Sequence, residues 1–243
     1  MAISAPHYHC LKELHRRGEL PQGGMILGIG EAQWYGDIAP PWKKYNVPDQ
    51  RFAGWETQWN ELSFKIAKDL YKELFDCDRV MAIDMHGPTS LNLDLNQPLD
   101  LKGTFSVVYN HGTLEHIFNP AQVLRTMHDH CEVGGLMLHE SPFTGWIDHG
   151  FYTIQPTLYY DLAAANSYDL RYFAVTHIEH GTAVEIHSRE QLLKMAAAGG
   201  VANNAMLYVA MRKTKDEPFR IPMQGFYAEA ISAEAQAAWR DLR

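Results

Sequence analysis

Cysteine is scarce in this chain. Cys10, Cys77 and Cys131 are odd in number, widely spaced and form no CxxC pair, which argues against both a disulfide scaffold and a cysteine-bound zinc. No apolar run approaches the roughly 20 residues that span a bilayer, and repeats and low-complexity tracts are absent. Basic charge is not in excess either. A formal net charge of −8 disfavours a phosphate backbone as the main partner, so neither nucleic acid nor membrane is expected. HExxH and comparable ligand spacings are missing, and no resident metal is expected despite 13 histidines. Residues 1–20 lack an apolar signal core and read as a helix with Leu11, Leu14 and His15 on one face, which points to a reducing cytoplasm.

What is present fits one α/β domain over residues 1–243. The chain is long enough for a full core, and 46% hydrophobic with 12% aromatic residues excludes disorder. After Pro21 and Gly23-Gly24, residues 25–29 read as a buried strand running into Gly30 and Glu31. Gly28 and Gly30 let the backbone approach a ligand without a Cβ in the way. The dinucleotide fingerprint wants a further glycine where this chain has Gln33, so a nicotinamide enzyme is disfavoured.

Residues 34–55 are too rich in proline for a helix and too aromatic for disorder, with Trp34, Tyr35, Trp42 and Tyr45 around Pro40-Pro41; they read as an ordered lid. A helix with a Trp59, Leu62, Ile66, Leu70, Leu74 stripe follows. Lid and helix form an insertion over residues 34–75. Residues 79–84 read as an apolar strand ending in Asp84, a place from which an acid can hold both ribose hydroxyls. Alternation predicts a third short strand over residues 91–95.

The central stretch is 103–140: a strand over 104–109, a polar turn over 110–115, a helix opened by Asn119-Pro120 and closed by Gly134-Gly135, and a strand over 135–140. This is one βαβ crossover, too apolar to have a face in water. Its carboxyl ends carry Asn110, His111, Glu115 and His116, then His139 and Glu140, where parallel sheets bind ligands. A glycine- and aromatic-rich loop over 141–152 leaves the same edge, followed by a helix (156–165), a strand (172–178), a helix capped by Ser188 (188–198), a last strand that pairs antiparallel (205–212) and a short terminal helix (233–242).

Taken together, Ile26 to Gly30, Ile83-Asp84, Asp94 to Pro98, Phe105 to His116 and Asp148 to Tyr152 resemble the class I, Rossmann-like S-adenosylmethionine-dependent methyltransferases, in a bacterial small-molecule branch with a degenerate first glycine motif. The resemblance implies a doubly wound, mostly parallel seven-stranded sheet with an antiparallel last strand. It implies S-adenosylmethionine as cofactor, held by Gly28, Gly30, Glu31, Asp84 at the ribose, Asp94 and Leu95 at the adenine, and Asn110 and His111 beneath the methionine. Aligned on Gly30, the chain departs from the family motif: Gly28 stands in place of the acid, Ala32 in place of the second glycine and Trp34 in place of the third.

Methyl transfer is an in-line displacement that needs alignment, dryness and, where the nucleophile is protonated, a base. His149 and His116 are the candidate bases, since imidazole titrates near neutrality. Trp34, Tyr35, Trp146, Phe151 and Tyr152 are the candidate aromatic contacts for a small-molecule substrate and a sulfonium cation. The lid aromatics could equally serve a homodimer contact. The competing readings are metal-assisted chemistry at His111, Glu115, His116, His139, Glu140 and His149, or a cofactor-binding module without turnover.

Overall fold

A computed structural model describes residues 2–36, 44–88 and 90–241. In chain order its elements are β1 (Ala2–Ile3), α1 (Ala5–Arg16), β2 (Met25–Ile29), β3 (Gln33–Trp34), α2 (Trp55–Phe75), β4 (Arg79–Ile83), β5 (Phe105–His111), a 3-10 turn (Leu114–His116), α3 (Pro120–His130) and β6 (Cys131–Pro142). They continue with α4 (Pro156–Asn166), β7 (Asp169–His177), β8 (Thr182–Glu185), α5 (Arg189–Ala197), β9 (Ala205–Arg212), α6 (Gly225–Ala230) and α7 (Ala233–Asp241).

The seven-stranded sheet has the order β4-β2-β5-β6-β9-β7-β8. β4, β2, β5 and β6 pair in parallel, while β9 runs antiparallel to both β6 and β7. This is the doubly wound, mostly parallel Rossmann-like sheet with its reversed last strand. β8 adds a second reversed strand at the edge, pairing β7 through a short hairpin; its four residues alternate exposed and half-buried, a pattern too short to stand out in the sequence.

Helices cover both faces. On one, Ile26, Val107, Tyr109, Leu138 and Tyr208 pack under α1 and α2; on the other, Leu27, Val108, Met137, Leu207 and Val209 pack under α3, α4 and α5. Because side chains alternate along a strand, β5 and β9 must be apolar on both faces, and both are buried at nearly every position. The caps follow local chemistry. Asn119 accepts the Gln122 N–H at the start of α3, and Ser188 accepts the Gln191 N–H (3.1 Å) at the start of α5. Ser188→Ala should cost about 1 kcal/mol, measured as the shift in urea midpoint at constant m; an unchanged midpoint would show that α5 does not depend on its cap.

Four expectations are corrected. The helix expected to close at Gly134-Gly135 ends at His130, and both glycines lie within β6. The strand expected over residues 91–95 is reduced to one parallel bridge, Ile83 to Leu91, because Asp94 turns back to bind Asn96 and buries Leu95. His15 is exposed rather than on the inner face of α1; that face carries His7, Cys10, Leu11 and Leu14. The polar turn after β5 is a 3-10 helix, held because Asn110 Oδ1 accepts the N–H groups of Thr113 and Leu114. Of the lid, Gln33–Trp34 pair with Ala2–Ile3 as a small second sheet, whereas Pro40-Pro41 and Trp42 lie outside the described residues.

Candidate functional site

The connections from β2 leave to β4 on one side and return to β5 on the other, so the sheet's switch point lies between β2 and β5. Beside it, at the carboxyl ends of β5 and β6, opens a cavity of about 260 Å³ lined by Ser4, His111, Glu115, Glu140, Trp146 and His149 among others.

Register builds its floor. His111 on β5 pairs with Glu140 on β6, and Glu140 in turn with Tyr208 on β9. All three therefore share the α1 face, whereas Asn110 and His139, one residue earlier on each strand, share the opposite face. The six polar residues expected at this edge thus divide: His139 packs against Tyr159 on the α4 side and leaves the cavity. His7, from the first turn of α1, completes the floor. Its Nδ1 stands 2.7 Å from Glu140 Oε2, and its ring meets that of His111 at 4.0 Å. His7 was not singled out from the sequence. The signal was there: His7, Cys10, Leu11 and Leu14 fall at helical spacing, which puts His7 on the buried side of α1.

The mouth is built from the 3-10 turn and the 143–155 loop. The Phe151 N–H donates to Glu115 O (2.8 Å), and a Cβ on Gly150 would lie 2.9 Å from that same oxygen, so only glycine lets the loop close on the turn. Trp146 is pinned by its backbone N–H to Asn204 Oδ1 and its indole N–H to Ala205 O. His116 Nε2 and His149 Nε2 each stand 3.9 Å from Glu115 Oε1. The two imidazoles are half-exposed, while Glu115 is fully buried.

Burial dominates the electrostatics. Glu115 is pushed up to about 7, first by desolvation and then by the charge of Glu140. His111 is held well below the usual imidazole range by burial, with His7 and His139 adding to it, and burial alone takes His139 to about 3. His116 is lowered by desolvation and by His149. Both oxygens of Glu115, Glu140 Oε1, both ring nitrogens of His111, His7 Nε2 and Asn110 Nδ2 are buried without a hydrogen-bond partner. Such concentration is unusual where buried polar groups are nearly always paired.

Of the expected cofactor residues, Gly28, Gly30, Glu31 and Asp84 lie at β2 and the ends of β2 and β4, while Asn110 and His111 lie on β5 and point to opposite faces. Gly30 takes φ +85°, the left-handed region that favours glycine, and its N–H donates to Ile83 O. Asp84 accepts the N–H of Glu31 on one oxygen and that of His86 on the other, which leaves acceptor capacity on both. Glu31 is buried and tied to Lys68 (2.5 Å) and Ser90. Gly28 has a packing reason: a Cβ there would fall 2.4 Å from the Tyr109 ring, so that ring fills the place where an acid at position 28 would project. Asp94 is exposed and Leu95 is buried in the core.

The expected substrate aromatics separate. Tyr35 and Trp146 line the cavity, and Trp34 with Tyr35 lines a neighbouring one of about 230 Å³. Phe151 and Tyr152 do not face it: Phe151 packs edge-on against Phe118, and the Tyr152 hydroxyl donates to Phe118 O.

No family model matches the sequence, and no curated protein does. Solved structures of similar chain path include the N-methyltransferase NodS from Bradyrhizobium japonicum in complex with S-adenosyl-L-homocysteine, at 10% identity and TM-score 0.45, over 86% of this chain and 86% of that one. An S-adenosylmethionine-dependent methyltransferase from Mesorhizobium loti is similar at 13% identity and TM-score 0.44, over 86% of this chain and 98% of that one. Coclaurine N-methyltransferase, bound to N-methylheliamine and S-adenosyl-L-homocysteine, is similar at 12% identity and TM-score 0.46, over 84% and 71%. No helix among the described residues is long and apolar enough to cross a membrane.

Proposed function

We propose that the chain is an S-adenosylmethionine-dependent methyltransferase acting on a small metabolite. The observation that carries this reading is the set of groups left with bonding capacity at the switch point: the left-handed Gly30 turn, the free lone pairs of Asp84 on the adjacent strand and the unpartnered Asn110 Nδ2. A nucleoside diol and a polar tail fit this pattern of acceptors and donors. When bound, the cofactor supplies an electrophilic methyl group.

The chain's own contribution is placement and proton handling. Asp84 holds the ribose end, Asn110 Nδ2 donates to the polar tail, and Tyr35 and Trp146 wall the acceptor from water. The acceptor's proton passes to Glu115, a carboxylate poised near neutrality, with His116 and His149 carrying it on to solvent from 3.9 Å.

Calorimetry with S-adenosylmethionine and S-adenosylhomocysteine tests the reading. Binding of both is expected, weakened at least about tenfold in Asp84→Ala, the scale of about one lost charge-assisted hydrogen bond, with far-ultraviolet dichroism confirming the fold. Absence of binding by the parent chain, or full affinity in the variant, would reject it.

A further inference from the structure

We infer that His7, His111 and Glu140 form a binding site for one divalent first-row transition ion at the floor of the cavity. The three come from separate elements, α1, β5 and β6, yet offer one ligand atom each within 4.8 Å of one another. At metal–ligand bonds of about 2.0–2.2 Å, the ligand atoms must draw somewhat closer than this to share a single ion. All three residues are essentially excluded from water, at 0%, 1% and 2% exposure.

Two independent observations point to a cation there. First, both nitrogens of His111, Nε2 of His7 and Oε1 of Glu140 are buried with no hydrogen-bond partner, so each of the three residues keeps an unsatisfied bonding atom, a costly arrangement in a buried site. Second, Glu140 shares the cavity with the buried Glu115, and no lysine or arginine is among its lining residues, so two desolvated carboxylates stand there without a basic side chain of either kind. Two imidazoles and one carboxylate suit a borderline ion of the zinc, cobalt or iron(II) class. The strands and α1 close the protein side and the cavity opens on the other. The remaining coordination positions therefore take water or an oxygen of a small molecule, as in open metal sites. The mouth group, Glu115 with His116 and His149, is half open to solvent and is left to proton transfer.

The site does not depend on methyl transfer, and its test reads a different signal. The full chain, stripped with chelator, is titrated with Co²⁺ alone and followed by the ligand-field absorption of the bound ion, then by displacement with Zn²⁺. One equivalent is expected, with a rise in melting temperature that scales with metal concentration. Glu140→Gln and His111→Gln should each weaken Co²⁺ binding by well over tenfold, since loss of even an outer hydrogen-bond partner costs a metal site 10–100-fold. His7→Gln, at the end of a surface helix and least disruptive to the sheet, should do the same if a strand variant does not fold. His149→Ala should leave Co²⁺ affinity unchanged. No Co²⁺ spectrum, full affinity in His7→Gln, or loss of binding only in His149→Ala would each overturn the site. A chain that binds S-adenosylhomocysteine but not Co²⁺ keeps the proposed function and loses this inference; the converse result keeps the ion and removes the methyl donor.

Discussion

Glu115→Gln will be more stable than the parent chain by about 3 kcal/mol above pH 7 and equal to it below pH 4.5. The carboxyl rises from 4.5 to about 7 in the folded state because it is desolvated and faces Glu140. Between those values the folded chain holds a proton that the unfolded chain has released. Stability therefore falls with rising pH by about 1.4 kcal/mol per pH unit across that window, and is flat on either side. Glutamine has the same shape and no charge to bury, so it lacks the slope. The charged and titratable groups acting on Glu115 are Glu140 from β6, His116 from its own turn, His149 from the 143–155 loop and the charge of the amino terminus, which opposes the rise. His116 is lowered toward the neutral form and supplies little compensating charge in the upper part of the window. Urea unfolding at pH 5 and pH 8, in chelator so that no ion neutralises the cavity, checks this. A gap in urea midpoint is expected at pH 8 and should shrink markedly at pH 5. A variant less stable than the parent at pH 8, or a gap of the same size at both pH values, would show that Glu115 is not buried as a strained acid.

The architecture was readable because strands buried on both faces declare themselves by composition. β2, β4, β5, β6 and β9 were all expected close to where they lie, since apolar runs of this length bounded by glycines and charges leave few other choices. The floor of the cavity was readable only in part. His111 and Glu140 sit at the ends of expected strands, but that they are neighbours on one face is a matter of register, which depends on the pairing of β5 with β6. The same parity removes His139, which sequence proximity had grouped with them. His7 needed more: its helical phase was visible, but its contact spans 133 positions to Glu140, and no local pattern encodes which strand end a surface helix will cover. Phe151 and Tyr152 illustrate the opposite error, because a loop's residues share a destination without sharing a direction; Gly150 turns the backbone onto Glu115, and the two rings go to Phe118 instead.

Tyr109→Ala will cost about 3–5 kcal/mol, the range for deleting a large buried aromatic ring, and in that background Gly28→Ala will cost less than it does in the parent chain. The Tyr109 ring is near-parallel to those of Tyr71 at 4.7 Å and His111 at 4.8 Å, which are themselves 6.2 Å apart, so the three rings meet as a triangle, and His111 lies 6.2 Å from Tyr208. All four rings are essentially without solvent exposure. A methyl group on Gly28 would meet the tyrosine ring at 2.4 Å, closer than any real contact, so in the parent chain Gly28→Ala should cost about 1–3 kcal/mol through forced movement of a packed core. Removing the ring relieves that clash, while the 2.8 Å approach of the methyl group to the Gly30 carbonyl oxygen stays. The double variant should accordingly fall short of additivity by the part of the glycine cost that comes from the ring, a coupling within the range seen for side chains in contact. The cycle, read by urea unfolding of all four chains, explains the altered glycine motif in physical terms. The Tyr109 ring occupies the volume into which any side chain at position 28 would project, and by its contact with His111 it also holds one wall of the cavity at its angle. Additive losses would show that Gly28 and Tyr109 are not in contact, and that position 28 is glycine for the sake of a ligand instead.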